Sequence, residues 1–93
     1  MTLQGRLNSA AKRGALSTAD LAVWFTMPYQ TVRSYREGRR CPTLARRLAI
    51  EQRLRLLERA LKTDCQLPIP LSVRNHQRQR YIKGILTRAN RRR

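Results

Sequence analysis

The sequence predicts a small all-α protein, and three observations support this expectation. Apolar residues recur at helical spacing in successive segments of the 93-residue chain. Helix starts and stops separate these segments: Ser17 and Thr43 can cap a helix, and glycines can end one. The length permits one small domain with a core near the lower limit of self-sufficiency. We therefore expect three short helices, a long fourth helix and a basic C-terminal helix or tail.

The first helix is predicted over residues 2–13. Gly14 is its expected C-cap, and residues 15–16 form a short connector to the next helix. One side of the helix is apolar and would face the core, and its members are Leu3, Leu7, Ala10 and Ala11.

A second helix is predicted to begin after Ser17. This serine starts a capping box with Asp20, in which the serine oxygen accepts a first-turn amide and the carboxylate favours the helix N-terminus. Leu21 and Phe25 recur at helical spacing, so one face of the helix is apolar. Trp24 lies beside that face, and we expect it to fill the core or an interface rather than to stack on a base.

A sharp interruption separates the second helix from a third, which is predicted over residues 28–36. Pro28 lacks an amide hydrogen and disfavours a helical conformation of the residue before it, yet it suits the first turn of a new helix. Val32 and Tyr35 are spaced to face inward, and Gly38 is the expected stop. The whole segment is therefore a helix, a turn and a second helix.

This segment resembles the helix-turn-helix of phage repressor and Cro-like regulators over residues of about 15–42. That family has Leu-Ala on the first helix, then Thr or Ser before an aliphatic residue, an aromatic residue, a glycine and a proline. The corresponding residues here, in register without a gap, are Leu21, Ala22, Thr31, Val32, Tyr35, Gly38 and Pro42. Thr26 stands where the family usually has glycine, which predicts a different turn geometry or left-handed strain. Arg36 stands where an acidic residue usually follows the aromatic one.

The resemblance implies which residues would contact DNA. Glutamine can pair bidentately with adenine and arginine with guanine, and the base-facing positions map to Tyr29, Gln30, Arg33 and Ser34. Amides at the positive start of the second helix suit a phosphate oxygen, and arginines after the third helix would flank the groove. The expected phosphate contacts in this part of the chain are Ser17, Thr18, Arg36, Arg39 and Arg40.

A long fourth helix is predicted over residues 44–62, with Thr43 as its cap. The spacing of four apolar residues within it is that of a heptad seam, formed by Ile50, Leu54, Leu57 and Leu61. Two interpretations of this seam stay open. It packs against the chain's own domain, or it joins subunits in a homodimer or a larger assembly.

The last third of the chain is predicted to contain an extended connector and then a basic helix. Residues 64–71 cannot be helical, because Pro68 and Pro70 are two positions apart. Ser72 can cap a helix over residues 73–90. The connector residues expected to lie against the body are Leu67, Ile69 and Leu71.

The chain ends in a basic tail that is expected to contact a polyanion, and its residues are Arg91, Arg92 and Arg93. We therefore predict two parts. Residues 1–63 form the helix-turn-helix DNA-binding domain, and residues 64–93 form the proline-containing connector and the basic segment.

The charge of the chain favours nucleic acid as its partner. The formal net charge is +16, and of the 21 basic residues only Lys12, Lys62 and Lys83 are lysines. Guanidinium groups bind phosphate and guanine edges bidentately, so double-stranded DNA is the expected partner. No segment approaches the ~20 apolar residues of a membrane span, and no signal peptide is recognised. We therefore expect the cytoplasm of a bacterial host, in association with the nucleoid, or the interior of a virion.

Few residues are suited to catalysis or to metal binding. The chain has five acids, a single histidine, His76, and no glycine-rich phosphate loop. Cys41 and Cys65 lack a CxxC partner and are expected to be free thiols. No enzymatic activity, cofactor, metal or small-molecule substrate is therefore expected.

The sequence leaves three functions open. The first is a transcription regulator of a phage or mobile element that reads the major groove. The second is the DNA-recognition subunit of a phage terminase-like machine, which the long fourth helix and the distinct C-terminal segment favour. The third is a structural protein that binds nucleic acid nonspecifically in a virion or a ribonucleoprotein. The preserved register of the helix-turn-helix favours the first two, because nonspecific packing does not need it.

Overall fold

The computed structural model describes residues 2–63 and 67–91, and it confirms the all-α fold. Within these ranges the chain forms five helices and no strand. None of the described helices is both long and apolar enough to cross a membrane. The helices are α1 (Leu3–Gly14), α2 (Thr18–Phe25), α3 (Tyr29–Glu37), α4 (Leu44–Thr63) and α5 (Asn75–Arg91).

The end of α1 lies one residue later than predicted. Its left-handed C-cap is Ala15, with φ 53°, and Gly14 is the last helical residue. Packing around Gly14 is tight, because an added Cβ would lie 3.0 Å from the side chain of Leu16 and 3.1 Å from that of Leu61, and both side chains would have to shift. The carbonyl of Gly14 also accepts a hydrogen bond from the amide of Ile69 (3.0 Å). The end of α1 therefore packs closely against both α4 and the C-terminal connector.

The helix–turn–helix segment has the local structure that the sequence predicts. The hydroxyl of Ser17 accepts from the amide of Asp20 (3.1 Å), and the Asp20 carboxylate accepts from the amide of Ser17 (2.8 Å), which confirms the capping box. Thr26 is left-handed, with φ 55°. Of the two predicted alternatives the structure therefore shows left-handed strain, since this conformation is unfavourable for a β-branched residue. Pro28 is the N-cap of α3, and Gly38, with φ 75°, ends that helix.

One hydrophobic core is shared by all five helices. Trp24 belongs to it, and its Nε1 donates a hydrogen bond to the backbone carbonyl of Arg53 on α4 (2.9 Å). This bond satisfies the indole N–H and ties α2 to α4. The most deeply buried side chains are Leu7, Leu21, Trp24, Val32, Leu54, Leu57, Ile82 and Ile85.

The heptad seam of α4 faces the interior of this chain. Ile50, Leu54 and Leu57 are buried, with relative exposures of 3%, 0% and 0%, and Leu61 packs against the same core partly buried. The expectation of an oligomer or partner contact at these residues is therefore wrong. Heptad spacing describes any apolar stripe along one side of a helix, and here that stripe packs against α1, α2 and α5.

The C-terminal segment also contributes to the core. Leu67 and Ile69 are buried as predicted, but Leu71 is fully exposed. Ser72 does not cap the last helix, which begins only at Asn75. Helix α5 packs against α2 and α4 through Ile82, Ile85 and Ala89, so its apolar side belongs to the body formed by residues 2–63.

Candidate nucleic-acid interface

The outward side of α3 carries polar and aromatic side chains on a helix whose inner side is fixed. Val32 and Tyr35 are buried, as their spacing predicts, and they anchor the helix in the core. The four side chains predicted to read bases lie away from these anchors. Three of them are exposed, namely Tyr29, Gln30 and Arg33, and Ser34 is half-buried. Since the backbone of α3 is held on its inner side, these groups have a fixed spacing.

Glu37 holds two arginines at the end of α3. Its Oε1 accepts a hydrogen bond from Nε of Arg33 (2.8 Å), and its Oε2 lies 2.8 Å from Nε of Arg39. The hydrogen bond from Arg33, together with both positive charges, holds the pKa of Glu37 below its ordinary value. All three side chains are exposed to solvent, so water screens the pairs. A phosphate or a base edge can therefore compete with Glu37 for either guanidinium.

Arg36 connects α3 to the two preceding helices. Its Nε donates to Oδ1 of Asn8 and its Nη1 to Oγ1 of Thr18, both at 2.9 Å. The backbone carbonyl of Arg36 accepts from the side-chain amides of Gln4 (3.1 Å) and Asn8 (3.2 Å). The predicted phosphate contact at Arg36 is therefore corrected to a structural role, because this half-buried side chain already has partners within the chain.

The start of α2 offers only some of the groups that were predicted. The amide of Ser17 is used by Asp20 in the capping box, and the hydroxyl of Thr18 accepts from Arg36. The Ser17 amide is therefore not available to a phosphate, whereas the Thr18 hydroxyl can still donate its own hydrogen. The amides of Thr18 and Ala19 belong to the first turn, which lacks intrahelical acceptors, and they are the groups suited to an anion here.

Further predicted and unpredicted basic residues lie on the surface of the described residues. Arg40 is exposed on the loop after α3, and Arg91 is exposed at the end of α5. The predicted contacts Arg92 and Arg93 lie outside the described residues. Lys83 of α5 lines a shallow groove together with Pro28, which places a cation beside the start of α3. This position of Lys83 could not be predicted, because the packing of α5 against α2 is a tertiary feature.

Two ion-pair clusters in the body were also not predicted. Arg78 of α5 donates from Nε to both carboxylate oxygens of Asp20 (3.0 and 3.1 Å) and from Nη2 to the carbonyl of Ala15 (2.8 Å). Burial alone would raise the pKa of Asp20, but the hydrogen bonds from Arg78 and Ser17 outweigh it, and the pKa lies below its ordinary value.

The second cluster joins α1 to α4. Arg6 donates to Glu51 at 2.7 Å and to Glu58 at 2.8 Å, and these bonds raise the pKa of the Arg6 guanidinium. With Asp20 and Glu37, every carboxylate side chain among residues 2–63 and 67–91 is paired with an arginine of the same chain.

The described part of the chain brings together no group of three histidine, cysteine or acidic side chains that could hold a metal. Cys41 is an exposed free thiol, and His76 is exposed. Cys65 lies outside the described residues. In comparisons with known proteins, no protein-family model, no curated protein and no solved structure matches the chain.

Proposed function

We propose that the protein is a non-enzymatic, helix-turn-helix DNA-binding protein that reads the major groove of duplex DNA with α3. The observation that carries this proposal is the division of α3 into two sides. Val32 and Tyr35 anchor one side, while Tyr29, Gln30 and Arg33 are exposed on the other. These three side chains can hydrogen-bond to base edges or contact a thymine methyl in the major groove.

Electrostatics support the same proposal. In it, the phosphate backbone is held by Arg39 and Arg40 after α3, by Lys83 of α5 and by the amides of Thr18 and Ala19. Glu37 lies between Arg33 and Arg39 and orients both guanidiniums at the end of the reading helix. Binding releases counterions, so affinity should fall steeply with salt.

The resemblance to phage repressor and Cro-like regulators makes transcription regulation in a phage or mobile element the proposed biological role. A DNA-recognition subunit of a terminase-like machine would use the same face of α3. Duplex binding by a nonspecific structural protein would not depend on the identity of Gln30 or Arg33. Substitution at these positions therefore distinguishes the structural class from the other two.

Selection of bound sequences from a random duplex pool at physiological salt tests the proposal. We expect enrichment of a defined motif with the wild-type protein. We expect Arg33→Ala to lose preference at one base position, whereas Arg59→Ala should retain the motif. The control removes the same charge from an exposed position on the C-terminal half of α4. Enrichment of no motif by the wild type would contradict sequence reading and favour the structural class.

A further inference from the structure

Among residues 2–63 and 67–91, nothing covers the first two turns of α4. Residues 44–49, which we name the α4 head, are all exposed, whereas later residues of the same helix are buried in the core. Leu44 and Leu48 have relative exposures of 75% and 59%. Because they are four residues apart, they lie on the same side of the helix. The α4 head is therefore a folded helix end that presents apolar side chains to solvent.

An open groove extends the α4 head toward the turn between α2 and α3. Its volume is about 760 Å³, and Met27, Ala45 and Ala49 contribute apolar lining. Arg46 and Arg53 line it as well. Leu44 and Leu48 do not line the groove, but each directly precedes one of its alanines in α4. An amphipathic helix lying along this side of α4 can approach the alanines closely and pack apolar side chains against the two leucines.

The charges of the chain decide what kind of partner suits this surface. The described carboxylates are all engaged by arginines of the same chain: Asp20, Glu37, Glu51 and Glu58. A second copy would therefore bring arginines against the arginines of the α4 head and of its groove, with no free described carboxylate to meet them. Like charges brought together in an interface disfavour association. The partner must supply both the apolar side chains and the acids.

We infer that the α4 head docks an acidic amphipathic helix of another protein. The apolar side of that helix packs on Leu44, Leu48 and the alanines of the groove. Its carboxylates meet Arg46 and Arg53. The groove adjoins the start of α3 at Pro28, but its lining includes none of the proposed reading residues Tyr29, Gln30, Arg33 and Ser34. A protein bound to DNA through α3 would thus carry a second surface for a protein component.

The probe for this inference is a labelled synthetic peptide of about 18 residues, with leucines at helical i, i+3, i+4, i+7 spacing and glutamates elsewhere. A scrambled peptide of the same composition controls for charge alone. In fluorescence anisotropy with the full chain, we expect the amphipathic peptide to bind at least about tenfold more tightly than the scrambled one. The double variant Leu44→Gln with Leu48→Gln should lose this difference.

Leu71→Gln is the matched control, because Leu71 is a fully exposed leucine outside the α4 head. It should bind the peptide as the wild type does, and circular dichroism should show the same helicity for all variants. Equal binding of the two peptides, or full binding by the double variant, would overturn the inference. So would a wild-type dimer in sedimentation that the double variant abolishes, since the occupant would then be a second copy. A loss of duplex affinity in the double variant alone would assign the surface to nucleic acid instead.

Discussion

Two arginine–carboxylate clusters in this molecule have the same chemistry and different consequences. At the start of α2, Asp20 pairs with Arg78, and their side chains are 5% and 22% exposed. At the end of α3, Glu37 pairs with Arg33 and Arg39, and the exposures are 35%, 49% and 70%. Burial strengthens the attraction between the charges of the first cluster, and loss of either partner would leave the other charge buried and unpaired. In the second cluster, water screens the attraction. The first therefore holds the fold, and the second keeps its arginines available to a ligand.

The largest expected effect comes from breaking the buried cluster. Arg78→Ala leaves the carboxylate of Asp20 buried without its guanidinium and removes the bond to the carbonyl of Ala15. We expect the free energy of unfolding to fall by about 3–5 kcal/mol, measured by urea denaturation. The control Arg74→Ala removes the same charge from an exposed position and should change it by less than about 0.5 kcal/mol. Equal effects of the two substitutions would show that the cluster does not tie α5 to α2.

The pH dependence of stability gives the next largest effect. The folded-state pKa of Asp20 is below its ordinary value of 3.8, so its contribution is complete above that value and is lost as the pH falls through the folded-state pKa. The wild type should therefore lose its stability advantage over Asp20→Asn on acidification below about pH 4. Urea titrations at a series of pH values measure this difference. An advantage that stays constant from neutral to strongly acidic pH would contradict the pairing.

The exposed cluster should show its effect in binding rather than in stability. Arg33→Ala should weaken binding to the preferred duplex by about 10- to 100-fold, because a bidentate base contact is lost. Binding to random duplexes should fall much less, and the urea midpoint should stay unchanged. Competition with specific and random duplexes measures the ratio, with Arg59→Ala as the charge-matched control. An equal loss on both duplexes would remove Arg33 from the set of reading residues.

The smallest expected effect is that of removing the charge between the two exposed arginines. Glu37→Gln should leave stability unchanged and should strengthen binding to all duplexes modestly, since Arg33 and Arg39 lose an internal competitor. If one additional phosphate contact forms, the log–log salt slope should steepen by about 0.9. Salt titrations of the wild type and the variant give both slopes. Marked destabilisation by Glu37→Gln would mean that this cluster is structural like the buried one.

Local features of the fold were predictable from the sequence, because short-range chemistry determines them. The capping box of Ser17 and Asp20, the left-handed Thr26 and the stop at Gly38 all follow from neighbouring residues. The inward spacing of Val32 and Tyr35 on α3 could likewise be read from helical periodicity.

Long-range pairing could not be predicted in the same way. Arg78 and Asp20 are 58 positions apart, and nothing near Arg78 distinguishes it from the other arginines of the C-terminal segment. The seam around Leu54 has a spacing that suits a core and an interface equally, and only the placement of α5 decides between them. From the sequence, Arg36 is a basic residue near the end of a helix that was expected to face DNA, and a phosphate contact was predicted for it. In the structure, Asn8 and Thr18 accept hydrogen bonds from its side chain.

The central claim is that the outward side of α3 reads duplex DNA. A titration of the ¹⁵N-labelled protein with the enriched duplex, followed by backbone amide NMR, tests it most directly. We predict that the largest shift changes cluster at Tyr29, Gln30, Arg33 and the loop residues Arg39 and Arg40, with small changes at Arg55 and Arg59 on α4. Shift changes concentrated on the exposed side of α5 or on the α4 head, with residues 29–34 unaffected, would contradict the account.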